Sequence, residues 1–229
     1  MEVWPFTRER ARRRALARHP APPLEALLRA PLPHRRTPAD GVEFVALDLE
    51  TTGLDAARDH ILSIGLVHVV GGGIRLGTAF HQVVRVAGEV PEASAIIHRI
   101  TDDHAAAGHA IEEVMPRVLE RLQGRVMLAH HASLESAFLD AACRRLYGER
   151  CIVPIVDTEQ VARRRLQRRH DGLKAGELRL FNLRERYGLP RYPAHNALSD
   201  ALATAELFLA LAADMAPNGG LRLGDVLTH

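Results

Sequence analysis

Cysteine is nearly missing from this chain: there are two in 229 residues, Cys143 and Cys151. They stand in no metal-binding or redox spacing, so a disulfide framework is set aside and both are read as reduced structural thiols. No apolar run reaches the roughly eighteen residues that a membrane span needs. The basic N-terminal stretch leads into proline and arginine instead of an apolar segment, so it does not read as a secretory leader. The expected compartment is the cytoplasm, with no membrane partner. Lysine is almost absent too: Lys174 is the only one among 30 basic residues, and arginine carries the positive charge everywhere. There is no internal repeat.

What is present is an ordinary globular composition, 47% hydrophobic and 25% charged, in a chain long enough to bury a sizeable core. The net charge of +2 is unevenly spread. Residues 1 to 40 hold nine arginines against four acids, while the remainder carries 21 basic and 24 acidic residues. This asymmetry divides the chain into a basic, Pro/Arg-rich extension over residues 1–41, a main domain over 42–215 and a tail over 216–229. "RERARRRALARH" has the makings of a helix, and the prolines from Pro20 to Pro38 make a semi-rigid linker. Two readings of the extension stay open. It either contacts nucleic-acid phosphates or packs Trp4, Phe6 and Leu16 on the domain with its arginines in solvent.

From residue 42 the pattern is regular. "VEFVALDLE" and "HILSIGLVHVV" are apolar strands, and the glycines at 71 to 73 turn the second into a third, "IRLGTAFHQVVR". "PEASAII" opens like a helix, and Ile111, Val114, Val118 and Leu122 recur at helical spacing. "RVMLA" is a short strand, followed by a helix over about 133 to 147, a fifth strand "CIVPIVDT", the helix "EQVARRRLQRR" and a basic loop before "LFNLRERYGLP". "ALSDALATAELFLALAADM" is the last strong helix. The expected fold is α/β: a five-stranded mixed sheet, a three-strand antiparallel meander plus two further strands, flanked by helices.

The chemistry starts at Asp48 and Glu50. Residues two apart in a strand project to the same side, so both carboxylates leave the strand end together. Glu135, placed in the second turn of its helix, shares a face with Phe138, Leu139 and Ala142, while Asp140 is rotated toward solvent. Asp200 lines up with Ala203, Thr204, Leu207 and Leu211, and His195 stands less than two turns before it. One acid on an apolar face is a helix-end charge. Four aimed at one core call for a cation or a compensating network.

Asp48-Leu-Glu50-Thr-Thr-Gly-Leu resembles the first motif of the DEDDh, or DnaQ-like, 3′-to-5′ exonucleases, the family of the proofreading epsilon subunit of bacterial DNA polymerase III. "AHHASLESAFL" is similar to the second motif, with Glu135 where the family has aspartate, and "HNALSDALATAEL" to the third, in which a histidine precedes an aspartate by five residues. Order and spacing match over roughly residues 43 to 212.

The resemblance implies a ribonuclease H-like fold and hydrolysis of phosphodiester bonds at the 3′ end of single-stranded DNA or short RNA, releasing nucleoside monophosphates. It implies two divalent metal ions, Mg2+ or Mn2+, held by Asp48, Glu50, Glu135 and Asp200. His195 is then the base that takes a proton from the attacking water, a task suited to imidazole. Thr51, Thr52 and His98 are candidates for holding the terminal nucleotide, and a polymerase or repair protein is the expected partner. Asp157, at the end of the fifth strand, is expected to cap or orient a helix rather than bind metal. His130 and His131 are read as positioning or packing residues. The competing reading is a nucleic-acid-binding or polymerase-associated module whose catalysis is weak or lost because Glu135 replaces the usual aspartate.

Overall fold

The computed structural model describes residues 4–86, 91, 94, 98, 100, 102–168, 174, 176–193 and 195–228. Its sheet has the order β3-β2-β1-β4-β5. β1 (Phe44–Thr51), β2 (Ile61–Val70) and β3 (Gly73–Val83) form the antiparallel meander. Gly71 and Gly72 close its second turn with φ of +60° and +71°. Two left-handed residues in a row match the twist of the flanking strands, and glycine takes that conformation without a Cβ clash. β4 (Val126–Ala129) and β5 (Ile155–Asp157) join on the other side of β1, both parallel.

β1 is therefore the central strand, apolar along most of its length because it is covered on both faces. On one face Val45, Leu47 and Leu49 share a core with α2 (Pro22–Arg29), α4 (Ile111–Leu122) and α5 (Ser133–Tyr147). On the other, Phe44 and Ala46 share a core with α6 (Thr158–Arg168), α7 (Leu180–Arg186), α8 (Ala197–Met215) and α9 (Leu223–Val226). The described residues also include α1 (Trp4–Leu16) and the short α3 (Asp102–Ala106). No described helix is long and apolar enough to cross a membrane.

Residues before 42 and after 215 both join the cores. α2 buries Leu24, Leu27 and Leu28, and Leu16 of α1 packs beside them; the side chains of Trp4 and Phe6 lie outside the described residues. Buried Arg12 donates to the carbonyls of Leu28 and Ala30 at 2.5 and 2.7 Å, which otherwise have no intrahelical partner at the end of α2. At the other end Thr228 donates its N–H to Ile155 O at 2.9 Å and accepts from the Asp157 N–H at 3.1 Å, strapping the outer edge of β5.

Four details differ from the sequence reading. β5 begins only after Pro154, which has no N–H for a ladder, so the apolar run of 151–158 is longer than the strand. α5 starts at Ser133, which puts Glu135 in its first turn, not its second. Asp140 is not simply solvated: it accepts from Arg150 Nε at 2.7 Å. The helix expected from "PEASAII" falls mostly outside the described residues.

Candidate active site

The site lies at the C-terminal end of β1. Asp48 and Glu50 have the same parity as Phe44 and Ala46, so they point to the α8 side of the sheet. α8 can reach them because Gly65, the cross-strand partner of Asp48, has no side chain. A Cβ on Gly65 would stand 2.1 Å from the carbonyl carbon of Ala197 and 2.2 Å from the nitrogen of Leu198. Both are backbone atoms of the first turn of α8, so neither can swing aside. Gly65→Ala is expected to lower stability by about 1–3 kcal/mol in urea unfolding, and to weaken divalent-cation binding by lifting Asp200 off the strand.

Asn196 starts α8 by accepting the Ser199 N–H at 3.1 Å. Asp200 follows in the first turn, buried, and one oxygen from each of Asp48, Glu50 and Asp200 lies within 4.8 Å of the others. Glu135 reaches the same end of the sheet from α5, in the opposite layer. It stands outside that tight group of three, yet among the charges acting on Asp48 it is the strongest. Burial first, then Glu135, Glu50 and Asp200, hold the Asp48 carboxyl well above its usual range. Burial pushes Glu135 from 4.5 to about 8, with Asp157 and Glu50 adding to the rise against its own N–H. Asp200 is raised from 3.8 to about 6, again chiefly by burial and against the pull of the His195 N–H.

Among the described residues, Glu50 Oε1, Glu135 Oε2 and Asp200 Oδ1 are buried and accept no hydrogen bond. Buried carboxylate oxygens without partners are costly, and hard divalent cations seek such oxygens. The donor set therefore fits Mg2+ or Mn2+ far better than a softer metal, since no thiolate joins it.

Two histidines flank the acids. His195 has a left-handed backbone, φ +67°, and its N–H donates to Asp200 Oδ2 at 2.9 Å, while its side chain is exposed. His98 pairs its Nδ1 with Glu50 Oε2, and its ring stands edge-on to that of His195 with centroids 6.0 Å apart. His98 thus touches an acid of the cluster directly. The threonine hydroxyls are turned into the loop after β1: Thr51 Oγ1 donates to Gly53 O at 2.6 Å, and Thr52 Oγ1 accepts the His60 N–H at 2.9 Å and donates to Asp59 at 3.3 Å.

Asp157 is the organiser of the Glu135 side. Its carboxylate accepts the N–H groups of His131, Ala132 and Glu159 at 3.0, 3.2 and 2.9 Å, tying the start of α5 to the start of α6. His131 takes φ +63° in that turn, and half-buried His130 bridges Thr158 Oγ1 and Leu178 O at 2.8 and 3.0 Å. Gly65, Asp59 and Arg184, described below, went unnoticed in the sequence. A lone glycine inside an apolar strand was the available signal for the first. For Arg184 it was a charge sharing a helix face with Leu180 and Tyr187.

A family model described as an exonuclease, RNase_T, matches residues 45–208. The DNA polymerase III subunit epsilon of Treponema pallidum (strain Nichols) is 32% identical over 179 residues, covering 78% of this chain and 80% of that one. The PolC-type DNA polymerase III of Thermotoga maritima is 32% identical over 183 residues, but this chain spans only 13% of its length. A DNA polymerase III subunit epsilon-like protein of Rhodobacter capsulatus, 34% identical over 196 residues, is matched over 27% of its length. Among solved structures, exonuclease X in complex with 5′ overhanging duplex DNA gives a TM-score of 0.59 at 25% identity over 80% of this chain and 98% of that one. The zinc-bound E. coli exonuclease I complex with single-stranded DNA shares the fold at TM-score 0.66 and 18% identity, over 77% of this chain and 41% of that one. With three acids gathered at the end of β1, a histidine held by one of them, and a family model that runs from β1 into the last long helix, the chain belongs to the RNase_T family of exonucleases and is DnaQ-like.

Proposed function

We propose that the chain removes nucleotides one at a time from single-stranded 3′ ends, DNA in the first place, using two divalent ions, Mg2+ or Mn2+. The observation that carries this reading is the convergence of Asp48, Glu50 and Asp200 within 4.8 Å beside a histidine fastened to one of them. These three carboxylates, with Glu135, would hold the ions. Bound ions at such a site supply an activated water and charge neutralisation for the leaving oxygen.

The chain's own groups do the rest. An imidazole nitrogen of His195 takes a proton from the water that attacks the terminal phosphorus. The bond from phosphorus to the 3′ oxygen of the preceding nucleotide breaks, that oxygen takes up a proton, and a nucleoside 5′-monophosphate leaves. Exposure of the His195 side chain suits a base that meets each new strand end from solvent. The loop of Thr51 and Thr52 is cross-braced, since Asp59 accepts from Asp55 N and Ser94 donates to Thr52 O, both at 2.8 Å. It is thus able to hold the terminal nucleotide through its backbone, with His98 beside it. Relatives that are polymerase subunits support a replication or repair assembly as the setting.

The test is a side-by-side degradation of labelled single-stranded DNA, duplex DNA with a mismatched end, and short RNA, each with Mg2+, Mn2+ and chelator. Metal-dependent shortening from the 3′ end is expected, fastest on single-stranded DNA. Glu135→Ala is expected to abolish it and Glu135→Asp to retain part. Tight binding of the strand without cleavage under both metals would overturn the reading in favour of a binding module.

A further inference from the structure

Among the described residues, Arg184 is the largest side chain that the fold buries fully, at 1% exposure. A lone guanidinium in that position would be prohibitive. Here both terminal nitrogens are used. Nη1 donates to Ala203 O on α8, and Nη2 donates to Pro190 O and to Glu206 Oε2, each at 2.7 Å. The guanidinium also lies over the ring of Tyr192, 4.7 Å from its centroid, and the Tyr192 hydroxyl donates to Glu206 Oε1 at 2.7 Å. Arg184, Glu206 and Tyr192 thus bind three pieces of chain into one body: α7, the segment after it, and α8.

A core does not need such a device for stability, because apolar side chains of similar volume serve as well or better. What a buried charge with fixed donors does specify is geometry. The two pieces that it fixes are those that carry the catalytic groups. Ala203 is one turn beyond Asp200, and Tyr192 is three residues before His195. Three residues span at most about 11 Å, so anchoring Tyr192 to α8 confines His195 to the same neighbourhood. His195 also holds a left-handed φ of +67°, a conformation that costs a residue with a side chain and that its neighbours help to hold. Downstream the hold is the Asp200 carboxylate on the His195 N–H. Upstream it is the arginine on Pro190 O and the tyrosine stacked beneath it.

We propose that Arg184, acting with Glu206 and Tyr192, is a positioning clamp that sets His195 against the carboxylate cluster. The inference rests on His195 being the base, as stated above, and the experiment separates the two. Tyr192→Phe keeps the ring and loses only the bond to Glu206; Glu206→Gln keeps the shape and loses the charge. Each is assayed for kcat and KM on a short single-stranded oligonucleotide with Mn2+, and for the rise in melting temperature on adding Mn2+, alone and combined with His195→Ala. In the otherwise unchanged chain kcat is expected to fall about tenfold, as small misplacements of a reacting group do, with KM and the Mn2+ response unchanged. In the His195→Ala background neither substitution is expected to lower kcat further. An equal fall in both backgrounds, or unchanged kcat in the single variants, would overturn the clamp while leaving the base in place. Full kcat in His195→Ala alone would overturn the base assignment, and the clamp with it.

Discussion

Asp48→Asn is expected to slow metal-dependent cleavage about a thousandfold or more, because a metal-centred stabilisation of several kcal/mol converts to rate at roughly 1.4 kcal/mol per tenfold. The same substitution is expected to raise the melting temperature of the metal-free protein. Asp48 is surrounded by Glu135, Glu50 and Asp200, all of which oppose its ionisation. An amide of the same shape has no proton to lose, so it removes the cost of placing an acid, ionised in the unfolded chain, where burial and three neighbouring acids oppose its ionisation. It should also abolish the rise in melting temperature that Mn2+ or Mg2+ gives the unaltered chain. The opposite signs matter: a variant that merely misfolds loses activity and stability together. A lower melting temperature in chelator with activity retained would show that Asp48 is not part of the metal site.

In chelator, stability is expected to fall as pH rises from about 5 to about 8. Glu135 is held at about 8 in the folded chain against an ordinary 4.5, and Asp200 at about 6 against 3.8. Asp48 is displaced in the same direction. Between the two values of each group the folded chain binds more protons than the unfolded one, so stability decreases with pH across that window. Below it both states are protonated and nothing is lost. Each unit of displacement corresponds to about 1.4 kcal/mol, and each kcal/mol to about 2–4 °C for a domain of this size, so a fall in melting temperature on the order of 10 °C is expected. Divalent cations bind the ionised carboxylates, so the stabilisation that they confer should grow with pH over the same range. Glu135→Gln should flatten the chelator curve. A melting temperature that is level or climbs with pH in chelator would contradict the raised carboxyls.

Periodicity explains why so much of this was legible in the sequence. Continuous apolar runs and the glycines at 71 to 73 give the meander, and the 3.6-residue repeat gives α5 and α8 to the residue or nearly so. Acids on apolar faces mark Glu135 and Asp200, since no solvation argument puts them there. Contacts across the fold left no such trace. Gly65 announces a close approach but not that Ala197, far along the chain, is what approaches. His98 touching Glu50 and Arg184 gripping Glu206 are through-space pairings that no local rule encodes. The apolar run at β5 says that the segment is buried, not where its ladder stops. The gap between Glu135 and the tight trio depends on how α5 seats against the sheet, which side-chain length alone does not reveal.

The acids that meet in one place are written far apart: Asp48 and Glu50 in the first strand, Glu135 midway, Asp200 in the last long helix. A ribosome delivers them in that order, and domains fold as units once enough of the chain is out. Until α8 settles over Gly65, the emerging polypeptide carries only the unassembled parts of the carboxylate cluster. The order of the elements thus means that the carboxylate cluster is complete only after the last long helix has been made and has docked on the sheet.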